Sequence, residues 1–172
     1  ESGEGTATTS GMISVRSANA GATGTSGMLI FSTGTSSSGN SGMVMIGSGA
    51  SSGGRGGSVT LSVGSGLSGV GGYARVIAGR SEILSGGFVT IESGEGTATT
   101  SGMISVRSAN SGVLGASGML SFSAGTSLGG NSGMIMIGSG ASTGGRGGSV
   151  SLSVGSGTSG EGGYARVIAG RS

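Results

Sequence analysis

The sequence predicts an all-β chain folded as a parallel β-solenoid, or β-helix, of about eleven coils of about 15 residues each. Three observations predict it. A glycine returns at a near-constant interval. The residues after each such glycine alternate between apolar and variable, which is the strand signal. The remainder of every interval is filled by glycine and small hydroxyl residues, which form turns.

The recurring glycines are Gly11, Gly27, Gly42, Gly57, Gly72, Gly87, Gly102, Gly118, Gly133, Gly148 and Gly163. Their spacing is 15 residues, except for 16 after Gly11 and after Gly102. Five intervals of 15 and one of 16 make a longer period of 91, and residues 1–81 align without a gap on 92–172 with 13 differences. Two rounds of duplication are implied. The chain is expected to be one solenoid array over 1–172, with copies 1–91 and 92–172, the second incomplete, cut from a longer array.

Each unit is numbered from its glycine as position 1. Positions 3 and 5 are apolar throughout, as in Ile13 and Val15, Leu29 and Phe31, Val44 and Ile46, Val59 and Leu61. Position 7 is small or Val: Ser17, Thr33, Ser48, Val63, Ala78, Ser93. Positions 2, 4 and 6 vary. A helix is disfavoured, because glycine costs about 1 kcal/mol relative to Ala at each helical position. Positions 8 to 15, such as Gly-Thr-Ser-Ser-Ser-Gly-Asn-Ser over 34–41, place Gly at 8 and 13 and Ser or Gly at 10 and 15. Glycine there is expected to supply the positive φ of tight turns. Fifteen residues at about 3.3 Å each enclose one thin core layer, and stacked copies would bury it at a spacing of about 4.7–4.9 Å. The absence of proline suits such a ladder, because no N–H is missing.

The outward face of the expected strands is also apolar. Position 2 carries Met12, Met28, Met43, Tyr73, Phe88, Met103, Met119, Met134 and Tyr164, with Ser58 and Ser149 interrupting, and position 4 adds Ile30, Met45 and Met136. All eight methionines lie in these two columns. A long apolar stripe marks an interface, and Met suits a surface that adapts to a partner. The stripe is therefore expected to be covered by a neighbouring solenoid or another segment of the same protein. Charges fall in complementary places on adjacent units. Glu1 and Arg16, and Glu92 and Arg107, share position 6; Arg80 and Glu95 share position 9; Arg146 and Glu161 share position 14. Stacked coils would set these as ion pairs, each contributing under about 1 kcal/mol when exposed.

Composition removes most chemistry. Of 172 residues 45 are Gly; all eight basic residues are Arg, all six acidic residues are Glu, and Pro, Cys, His, Trp, Lys and Asp are absent. No Ser-His-Asp or Cys-His arrangement, Schiff-base lysine or common metal cluster is available. No catalytic residue, cofactor or metal is expected, and the chain is read as not an enzyme. The string Gly53-Gly54-Arg55-Gly56-Gly57 resembles a phosphate loop only superficially, lacking the Lys-Ser/Thr that follows and the helix. A net charge of +2 without an Arg cluster does not point to nucleic acid. No apolar run reaches the roughly 18 residues of a membrane span. Asn19, Asn40, Asn110 and Asn131 lie in no N-glycosylation sequon, while Ser and Thr offer sites for O-glycans.

The pattern Ser-Gly-x-apolar-x-apolar-x-x-Gly-x-Ser-x-x-Gly, with GGSVTLSVGSG over 56–66 and GSGASSGGRGG over 47–57, resembles Gly/Ser/Thr-rich repeats of large extracellular structural proteins of microalgae and other protists. The resemblance covers the whole chain. It implies a secreted or cell-surface structural role in a filament or fibre, with copies of the chain or neighbouring repeats as partners. Two other readings stand beside it. One is ice binding, though no column is consistently Thr and Met and Arg interrupt the outward strand. The other is the stalk of a surface adhesin.

Overall fold

The structure, a computed structural model, describes Ser2 and residues 9–170. Among them there is neither helix nor strand. The expected β-solenoid, and with it the β-helix, is thereby corrected. A solenoid requires backbone bonds between residues one coil apart, and among the described residues none joins positions 15 apart. The backbone bonds that exist close over three or eight residues, as in Gly24 N–H to Gly21 O and Gly57 N–H to Gly49 O.

Burial gives the physical reason. No described residue is buried, hydrophobic or polar. The accessible surface is 17458 Å², whereas a globular chain of 15.8 kDa would expose about 7,300 Å² and its unfolded form about 23,000 Å². Each unit offers two or three inward aliphatic side chains for 15 ordered residues. About a quarter of those residues are glycine, which loses the most backbone freedom on ordering. Burial on that scale does not offset the entropy, so only closures within a unit remain.

The repeat nevertheless survives as local geometry. Contacts divide the chain into two units, Glu1–Val89 and Thr90–Ser172. In the first, the chain bends at 22–24, 37–39, 52–54, 67–69 and 82–84; in the second, at 97–99, 113–115, 128–130, 143–145 and 158–160. These bends keep the period of the sequence and fall at positions 11–13 of the 15-residue units. In the two 16-residue units they fall one residue later. There a backbone turn closes the bend, Gly24 N–H to Gly21 O and Gly115 N–H to Gly112 O, both at 3.4 Å.

In the five 15-residue units with Ser at position 10, a serine hydroxyl makes the turn instead; the units starting at Gly57, Gly87 and Gly148 carry Gly there and bend without it. The Oγ of position 10 accepts from the N–H of position 13. This occurs at Ser36 and Gly39, Ser51 and Gly54, Ser81 and Leu84, Ser127 and Gly130, and Ser142 and Gly145, at 2.9–3.1 Å. Short polar side chains compete in this way with regular secondary structure for backbone donors. No described glycine has a positive φ. The expectation that glycine supplies left-handed turn residues is therefore corrected as well: the turns that close do so through serine oxygen in five units and through a backbone carbonyl in two.

A second closure explains the recurring glycine. The N–H of position 1 donates to the carbonyl of position 8 in the preceding unit at Gly57, Gly87, Gly102, Gly148 and Gly163, over 2.9–3.2 Å. At four of the six units with Ser or Thr at position 7, its hydroxyl donates to the carbonyl of the glycine that opens the next unit; Ser93 and Ser108 do not. Ser17 reaches Gly27 O, Thr33 Gly42 O, Ser48 Gly57 O and Ser139 Gly148 O, at 2.8–3.1 Å. Position 1 thus lies against position 7. A Cβ on Gly57 would stand 2.9 Å from Ser48 Cβ, on Gly72 2.6 Å from Val63 Cγ1, and on Gly148 2.9 Å from Ser139 Cβ. At these three positions, and at Gly163 with Val154 Cγ1 at 2.7 Å, the glycine is required by close approach.

Candidate functional site

The apolar segments at positions 2–6 lie between these closed loops, and both of their faces are open to solvent. Within SGMVMIGSG, Met43 is 75% exposed, Val44 52%, Met45 79% and Ile46 77%. Position 3 is the less exposed column and position 2 the more exposed one, with Leu29 at 49% beside Met28 at 81%. At Ile46, Leu61 and Ile137, position 5, expected to face inward with position 3, is as open as the methionines, so the expected inward face is reduced to the single column at position 3. The other members of the outward column, Met12, Tyr73, Phe88, Met103, Met119, Met134, Met136 and Tyr164, are likewise exposed.

Charged residues are placed without mutual support. One salt bridge exists among the described residues, Arg80 to Glu82, with both side chains about four-fifths exposed. It lies within the loop that carries the Ser81–Leu84 turn. Glu92 and Arg107, like Arg146 and Glu161, are not bridged. Arg80 and Glu95 fall one in each unit. Glu1, the expected partner of Arg16, lies outside the described residues.

Nothing among the described residues forms a catalytic constellation. No three His, Cys, Asp or Glu come together in a way that would hold a metal ion. One open hollow is lined by the consecutive residues Arg107, Ser108, Ala109 and Asn110. Its lining is one continuous stretch of chain, and it converges no groups from elsewhere. Among the described residues no helix is long and apolar enough to cross a membrane.

What the structure does organise is the loop. Ser48 and Ser51, with Ser139 and Ser142 as their counterparts, hold the two loops that each carry all three closures: the serine turn, the glycine clip and the hydroxyl-to-carbonyl bond. Each displays the same string, Gly-Gly-Arg-Gly-Gly, at 53–57 and 144–148. The signals for these serines were present in the sequence, as the small residue at position 7 and the Ser at position 10. Read as core filling and turn composition, they gave no hint of a hydrogen-bonded loop. Compared with known families, curated proteins and solved structures, the chain matches none.

Proposed function

We propose that the chain is a structural repeat protein that associates with copies of itself into a filament or fibre, and that its activity is physical. One observation carries this reading. Every large hydrophobic side chain among the described residues is at least 46% exposed, on segments that return every 15 or 16 residues. Soluble monomers rarely leave apolar surface on this scale uncovered. A second copy supplies matching segments at the same spacing, so many weak contacts form together along two chains. The closed Gly/Ser loops act as spacers between them.

Association of the pure chain at rising concentration tests this, followed by sedimentation and electron microscopy. Concentration-dependent growth into thin filaments is expected. A chain that stays monodisperse and monomeric at high concentration would overturn the reading.

A further inference from the structure

The two Gly-Gly-Arg-Gly-Gly loops are the best-closed parts of the chain among the described residues, and their role as spacers gives their arginines none. Around Arg55, Ser51 Oγ accepts from Gly54 N–H at 3.0 Å on one side. On the other, Gly57 N–H donates to Gly49 O at 3.1 Å and Ser48 Oγ donates to Gly57 O at 2.9 Å. Around Arg146 the same three bonds measure 2.9, 3.0 and 3.0 Å. Each arginine thus stands between two fixed points, in a loop the chain builds twice.

The flanks of these arginines are bare. Two residues on either side lack a Cβ. A Cβ built on Gly53 or Gly144 would meet nothing within 4 Å, one on Gly56 or Gly147 only a carbonyl oxygen at 3.9 Å, and one on Gly54 or Gly145 only the turn serine's Oγ at 3.4 Å; Gly57 and Gly148 are the crowded members, 2.9 Å from the Cβ of Ser48 and Ser139. Each of the other six arginines has a side chain on at least one adjacent residue, such as Val15 and Ser17 beside Arg16, or Ala74 and Val76 beside Arg75. Arg80 is also held by Glu82. Neither Arg55 nor Arg146 is ion-paired among the described residues.

An anion cradle does not account for the string. Such a cradle needs successive N–H groups turned to one side by an αR-αL backbone, and no described glycine has a positive φ. What the loop offers is a guanidinium on a backbone that a narrow enzyme cleft can approach closely, because no neighbouring side chain stands in the way.

We propose that Arg55 and Arg146 are sites of guanidinium N-methylation by a transferase using a sulfonium methyl donor. A terminal guanidinium nitrogen attacks the donor methyl carbon. The N–C bond forms as the C–S bond breaks, the sulfur leaves as a neutral thioether, and the nitrogen releases one proton. The arginine keeps its charge and loses one N–H donor per methyl, which removes bidentate pairing with a carboxylate. Selectivity comes from the flanks: an added side chain at the mouth of a fitted cleft changes turnover by about tenfold or more.

The test uses the whole chain with S-adenosylmethionine and an arginine N-methyltransferase active on a glycine-flanked arginine peptide, read by peptide mass spectrometry. Label is expected on Arg55 and Arg146 at about tenfold or more above Arg16, Arg75 and Arg107. Gly54→Val with Gly56→Val should lower label at Arg55 by about the same factor while Arg146, unchanged, serves as the internal standard. Label spread evenly over the arginines, or none on the chain while the peptide is modified, would overturn the proposal. So would a Gly54→Val, Gly56→Val chain labelled at Arg55 as well as at Arg146.

Discussion

At the scale of single residues, glycines of identical type play different parts. Gly57 lies where a Cβ would stand 2.9 Å from Ser48 Cβ, whereas Gly53 faces open space. Neither has a positive φ. Gly57→Val should therefore break the clip to Gly49 O and the bond from Ser48 Oγ, each with a net contribution of about 0.5–1.5 kcal/mol. Gly53→Ala should leave the loop closed, and by restricting the open chain should favour closure by about 0.4–1 kcal/mol. Amide chemical shifts and temperature coefficients at residues 49–57 distinguish the two. Equal effects from both substitutions would refute the steric account. The sequence made the glycine period plain, but not its cause: a spacing records that a side chain is excluded and is silent on what excludes it.

At the scale of the element, alternation and closure separate. Val44 and Ile46 recur in kind in every unit, but that period of two sets apart position 3 alone: Ile46, expected on the same inward side as Val44, is 77% exposed, as open as Met43 at 75%. Nor does the period decide whether segments pair, because pairing depends on the area buried against the entropy lost. The loops were the legible part read with the wrong mechanism: Ser51 and Ser142 were visible as turn residues, while the bonds their oxygens accept come from backbone geometry. Hydrogen exchange tests the element. The amides of Gly57, Gly87, Gly102, Gly148 and Gly163 are bonded, so they should exchange about fivefold slower than those at positions 2–6, the factor for a net bond of about 1 kcal/mol. Ser51→Ala should release the Gly54 amide alone. Uniform exchange along the chain would refute closed loops.

At the scale of the whole molecule, the accessible surface decides what a single chain can do. With 17458 Å² exposed and no core among the described residues, a dilute chain offers no cooperative unit to melt, and calorimetry should record no unfolding peak. Association then has to supply the burial that folding does not, and its driving force is hydrophobic. It should strengthen on warming from about 5 to about 25 °C, since hydrophobic burial weakens on cooling. Salt should change it little, because the net charge is +2 and exposed pairs contribute little. The methionines present the widest apolar area at positions 2 and 4, so replacing all eight with Ser should raise the concentration needed for assembly by at least about tenfold; a single interchain contact of 1.4 kcal/mol or so would suffice for that. Light scattering across temperature, salt and the Met→Ser chain measures each arm. Assembly that weakens on warming and dissolves in salt would assign the association to charge, and an eight-fold Met→Ser chain that assembles like the parent would remove the methionines from the interface.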